Sequence, residues 1–107
     1  MSDDFGLNTE DLKEILLIFK SVPEIEEAIL FGSRAKGNFR NGSDLDIAIK
    51  GKDVGFSHIS YISYLLNEET LMPYKFDILN YDMISNEDLK DHINRIGKTF
   101  YRRPKIH

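Results

Sequence analysis

The 107-residue chain contains no cysteine and no tryptophan, and only three prolines and three histidines. Without cysteine it can form neither a disulfide nor a zinc centre built on thiolates. No run approaches the roughly 20 consecutive apolar residues that a membrane-spanning helix requires. The N-terminal MSDDFGLNTE is acidic and polar, where a secretory signal would show a basic region followed by an apolar one. Positive charge is also in deficit, with 14 Lys and Arg against 18 Asp and Glu and a net charge of −4, so composition supplies no basis for direct nucleic-acid binding. His58, His92 and His107 are scattered without ligand spacing and read as surface or helix-capping residues. No repeat, low-complexity tract or linker interrupts the chain. These absences leave one domain spanning residues 1–107, with cytoplasmic residence expected and no membrane partner. Its 41% hydrophobic content is enough for a single modest core.

What is present is alternation of helical and strand patterns. Asn8 is placed to cap a first helix whose stripe is Leu12, Ile15, Leu16 and Phe19, with Leu7 and Leu12 as a staple and Pro23 ending it. Ala28-Ile29-Leu30-Phe31 reads as a strand, and a short helix or turn is expected around Arg34-Ala35-Lys36. A helix over about Ser57 to Asn67 would bury Ile59, Ile62 and Leu66. A last helix opening at Ser85, with Asp88 three residues on, would align Leu89, Ile93, Ile96 and Phe100. The basic residues Arg95, Lys98, Arg102, Arg103 and Lys105 then read as a helix C-terminus and a solvated tail. The acidic group Glu24, Glu26 and Glu27 before the first strand is read as solvated. The expected order is α-β-α-β-α-β-α, an α/β domain with a small mixed sheet flanked by helices.

The candidate chemistry sits on the strands. Leu45, Ile47 and Ile49 alternate with Asp44, Asp46 and Ala48, so both aspartates project to one face about 6–7 Å apart along the backbone. Tyr74, Phe76 and Ile78 alternate in the same way with Lys75, Asp77 and Leu79. If the two strands are neighbours, Asp77 faces as Asp46 does. Three carboxylates together repel unless cations lie between them, and hard oxygen ligands suit Mg²⁺ that also holds substrate phosphates. Gly32-Ser33 follows the first strand, where a glycine permits a sharp turn and close approach of phosphate to main-chain amides. Arg34 and Lys36, read as exposed helix residues, could neutralise phosphate charge.

The run FGSRAKG, then SDLDIAI, then FDIL resembles the nucleotidyltransferase superfamily with the DNA polymerase β-like fold, and within it the minimal nucleotidyltransferases (MNT). The matching motifs cover about residues 28 to 79. The resemblance implies transfer of AMP from ATP to a hydroxyl with release of pyrophosphate. It also implies that Asp44, Asp46 and Asp77 are catalytic and hold two Mg²⁺ ions, and that Gly32, Ser33, Arg34 and Ser43 bind the nucleotide. Larger superfamily members carry an added acceptor-binding region, whereas about 30 residues follow Asp77 here, so the acceptor is expected from another subunit. This is similar to the antitoxin of HEPN/MNT toxin-antitoxin pairs, which adenylylates a tyrosine of its HEPN ribonuclease partner. Two other readings stay open: a small-molecule nucleotidyltransferase with its acceptor site at a homo-oligomer interface, and a binding module that blocks a toxin by occlusion.

Overall fold

A computed structural model describes residues 7–37 and 44–104. Helix α1 (Thr9–Lys20) is followed by β1 (Glu27–Phe31), the single turn α2 (Ser33–Lys36) and β2 (Leu45–Lys50). Helix α3 (Phe56–Tyr64) continues as a π-helical turn (Leu65–Glu69) before β3 (Phe76–Asn80). A 3₁₀ turn (Tyr81–Met83), α4 (Glu87–Ile96) and β4 (Lys98–Arg102) complete the described fold. Among the described residues no helix is long and apolar enough to cross a membrane.

The strands form one sheet in the order β3-β2-β1-β4. β1 is antiparallel to β2 and β4, whereas β2 and β3 are parallel, so the sheet is mixed as expected. A parallel pair needs a crossover, which α3 supplies. The period-2 pattern of β2 decides what each face meets. Leu45, Ile47 and Ile49 are at most 1% exposed and pack with Ile15, Phe19, Ile62 and Leu66. On the opposite face Ala48 joins Ile29, Phe31 and Ile93, which brings α4 across that side. β1 stops, and β2 and β3 start, at the same end of the sheet.

The local capping follows the sequence closely. Asn8 Oδ1 accepts the Asp11 N–H at 2.7 Å, as expected for the cap of α1. Gly55 N–H donates to His58 Nδ1 at 2.9 Å, which gives that histidine the helix-capping role. The cap of α4 lies one residue later than the Ser85 expectation: Asn86 Oδ1 accepts the Leu89 N–H at 3.2 Å. Asn67, expected to close an α-helix, lies in the π-helical turn.

The C-terminal segment differs from its expected form. Phe100 is not on the last helix, which ends at Ile96, but on a fourth strand paired with β1. Gly97 makes the change of direction, since a Cβ there would overlap the Ile93 carbonyl and the Ile29 side chain. In the β1–β4 pairing Thr99 opposes Ile29 and Tyr101 opposes Ala28, so Phe100 is the extra residue of a bulge. Phe100 and Tyr101 both meet Phe19, at ring-centroid distances of 5.7 and 5.9 Å.

Of the basic residues there, Arg95 stands in the last turn of α4 as expected and Lys105 lies outside the described residues, but Arg102 and Arg103 are not a solvated tail. Arg102 pairs with Glu27 at 3.2 Å across the two strands, which also removes Glu27 from a merely solvated role. The Arg103 guanidinium donates to the carbonyls of Lys20, Val22 and Ile25 at 3.1–3.2 Å, closing the C-terminal end of α1. Arg103→Ala removes a cation from a helix C-terminus together with three hydrogen bonds, and its expected cost is about 1–3 kcal/mol, read as a lowered urea midpoint. A midpoint equal to wild type would show that these contacts add nothing to stability.

Candidate active site

Register brings the two strand aspartates together. Asp46 on β2 is the cross-strand partner of Phe31 on β1 and of Asp77 on β3. Neighbouring strands lie about 4.8 Å apart, and paired positions share a face, so Asp46 and Asp77 stand side by side. Asp44 precedes β2 by one residue and is exposed, as is Asp77, whereas Asp46 is half-buried. Burial, then the charges of Asp77 and Asp44, push the Asp46 carboxyl above its ordinary range, and the His92 charge opposes them. The charges of Asp77 and Asp44 therefore both act on Asp46, at the end of the sheet where β2 and β3 start.

Gly32 stands against this point. Its φ of +81° is a conformation that glycine adopts freely, and a Cβ on it would overlap Asp46 Oδ2. The Gly32 carbonyl accepts the Lys36 N–H at 3.1 Å and so begins α2. The turn after β1 thus lays its backbone directly on the half-buried carboxylate. Ser33 is the first residue of α2 and follows this contact. Ser43 lies outside the described residues.

Arg34 is not the exposed helix residue expected from sequence. It is 3% exposed, and its guanidinium lies 4.9 Å from the centroid of the Tyr74 ring, an arrangement that favours a cation over the aromatic face. Ala35 is also buried, because the short α2 lies flat on the fold, while Lys36 is exposed as expected. Arg34 therefore links the turn after β1 to the segment that leads into β3.

The donor set consists of hard carboxylate oxygens, the chemistry that suits Mg²⁺. Among the described residues, however, no three His, Cys, Asp or Glu side chains are grouped so as to hold a metal ion by themselves. Mg²⁺ commonly takes only one or two carboxylates and completes its shell with water and substrate phosphates, so the aspartates fit a metal that arrives with nucleotide. Asp77 also lines a groove of about 790 Å³ between α3, its π-helical turn and the outer edge of β3.

One neighbour of the site was missed by sequence reading. His92 meets the Phe31 ring edge-on at 6.4 Å and contributes charge at Asp46. The signal was its position on α4 beside Ile93 and three residues after Leu89, which places it at the margin of the buried stripe.

Residues 13–106 match the family described as Polymerase beta, Nucleotidyltransferase, and the chain belongs to that family. No curated protein sequence matches it. Among solved structures it is similar to a toxin-antitoxin with AMP-PNP, at TM-score 0.69 and 20% identity over 91% of this chain and 75% of the other. A second is tri-AMPylated Shewanella oneidensis HEPN toxin in complex with MNT antitoxin, at TM-score 0.68 and 16% identity over 91% of this chain and 74% of the other. A third is the toxin-antitoxin MntA-HepT, at TM-score 0.67 and 16% identity over 90% of this chain and 74% of the other. The common feature is the polymerase β-like nucleotidyltransferase fold of MNT antitoxins, in accord with the resemblance carried by the motifs.

Proposed function

We propose that this protein transfers AMP from ATP to a tyrosine hydroxyl of a HEPN toxin and thereby acts as its antitoxin. The observation that carries the reading is the side-by-side register of Asp46 and Asp77 with Gly32 laid against the Asp46 carboxylate. Two similar structures add support, since one holds AMP-PNP and another an AMPylated toxin beside an MNT antitoxin.

Asp44 and Asp46 would hold Mg²⁺ together with the triphosphate, and Asp77 would complete a second site. When bound, the metal neutralises phosphate charge and favours the ionised form of the attacking hydroxyl. Gly32 and Ser33 hold the departing pyrophosphate, Arg34 stabilises the turn that carries them, and Ser43 is a further phosphate contact. The tyrosine oxygen forms a bond to the α-phosphorus as the bond from that phosphorus to the bridging oxygen of pyrophosphate breaks. Asp77, exposed on the groove, accepts the phenolic proton. Transfer to a positioned tyrosine gains from the fixed orientation of donor and acceptor, so the chain alone should consume ATP very slowly.

The test is the intact mass of the cognate HEPN protein after incubation with this chain, ATP and Mg²⁺. A gain in multiples of one AMP, located on tyrosine, is expected. No gain, together with efficient nucleotidylation of a free small molecule, would overturn the antitoxin reading.

A further inference from the structure

β3 is an edge strand, and Asp77 lies on it. Leu45 N–H donates to the Lys75 carbonyl at 2.9 Å, so the main-chain groups of the odd-numbered residues of β3 turn toward β2. Those of Phe76 turn outward, toward the groove. An edge strand leaves such groups unpaired unless something covers them.

Here Asn67 covers them. Its Oδ1 accepts the Phe76 N–H at 2.8 Å, and its Nδ2 donates to the Phe76 carbonyl at 3.0 Å. The same Nδ2 reaches the Ser63 carbonyl at 3.0 Å, tying the carboxamide to α3. One side chain therefore makes both bonds that a further strand would have made. It does so from the π-helical turn, a distortion found often at functional sites, and that turn is anchored by Leu66, 1% exposed, and by the Thr70 hydroxyl donating to the Leu66 carbonyl at 2.8 Å.

We propose that Asn67 is the positioning residue for Asp77: by gripping both backbone polar groups of Phe76, it fixes the adjacent carboxylate on this edge strand. The inference rests on the reading of Asp77 as the third carboxylate of the transfer site. Asn67 itself faces the groove and touches the backbone, so its effect passes through Asp77. Displacement of a reacting group by about 1 Å can cost about 100-fold in rate, so a loosened edge is expected to appear in turnover.

The experiment compares Asn67→Ala, Asn67→Gln and Asp77→Asn with wild type, in complex with the cognate HEPN protein for transfer and as the full chain for amide hydrogen exchange. In Asn67→Ala, exchange at Phe76 should accelerate at least about tenfold while Ile47 in the core is unchanged. In the same variant kcat for AMP transfer should fall at least about tenfold with KM for Mg-ATP within about twofold, and Asn67→Gln, which keeps the carboxamide, should recover part of the loss. Accelerated exchange with unchanged kcat would overturn the positioning role, as would a rise in KM alone. Unchanged exchange at Phe76 would overturn the grip itself. If Asn67→Ala does not fold, Asn67→Ser carries the same expected outcomes. Full transfer by Asp77→Asn would instead overturn the role given to Asp77, and is read separately from the exchange result.

Discussion

Replacing Asp46 with asparagine is expected to abolish the proposed AMP transfer, lowering the rate by at least about 1000-fold, or about 4 kcal/mol of transition-state stabilisation. The same change should leave the metal-free protein no less stable at neutral pH. Asp46 is the half-buried member of the acidic group, and burial followed by the charges of Asp77 and Asp44 raises its pKa in the folded state. A carboxyl whose pKa is raised on folding holds its proton more tightly in the native state than in the unfolded chain. Its favourable contribution is therefore present at low pH and is lost as pH climbs from the unfolded value through the folded one. Urea midpoints followed from pH 4 to 7 should thus fall in wild type relative to Asp46→Asn. Added Mg²⁺ and nucleotide should stabilise wild type more than the variant, because binding to the native state alone raises stability by mass action. Undiminished transfer by Asp46→Asn, or by Asp44→Asn and Asp46→Asn combined, would sink the catalytic reading. A variant inactive in transfer that still silenced the toxin in cells would favour occlusion.

Gly32→Ala should damage both stability and activity. Its φ of +81° lies where an L-residue is strained, and the new methyl group would overlap Asp46 Oδ2. The backbone conformation alone costs about 1–2 kcal/mol, and the total loss is expected at about 1–3 kcal/mol in chemical denaturation. Displacement of the carboxylate should add at least about a tenfold fall in transfer, beyond any fraction unfolded. The contrast with Gly37→Ala is informative, since that glycine has φ +84° but, among the described residues beyond its own chain neighbours, nothing within 4 Å of an added Cβ. Gly37→Ala should therefore lose stability with little change in the transfer rate of the folded protein. Equal transfer by the two variants would show that the turn after β1 does not position Asp46.

Much of the site was legible because its parts repeat at the strand period. Leu45, Ile47 and Ile49 alternate with Asp44 and Asp46, and the chain cannot bury the first set without turning the second to the other face. The same logic placed Asp77 on the face opposite Phe76 and Ile78. The C-terminal segment misled for a comparable reason: Leu89, Ile93, Ile96 and Phe100 fit a helical stripe, and only Gly97 marks the break. A bulged strand of five residues, KTFYR, has too little alternation to compete with that pattern.

The sequence by itself determined the family and the mixed α/β character and nominated the candidate acidic residues, because these rest on local periodicity and motif spacing. Pairing in space decided the rest. The register of β2 with β3 set Asp46 beside Asp77, and burial, with the charges of Asp77 and Asp44 added to it, raises the Asp46 pKa. Packing of α2 buried Arg34 against Tyr74, and the fold of the C-terminal strand carried Arg103 to the end of α1. The edge position of β3 left Phe76 to be met by Asn67. All but the last of these contacts join residues distant along the chain, and for none of them does a local pattern record which surfaces will meet. Only burial of the two apolar faces of the sheet selects the partners.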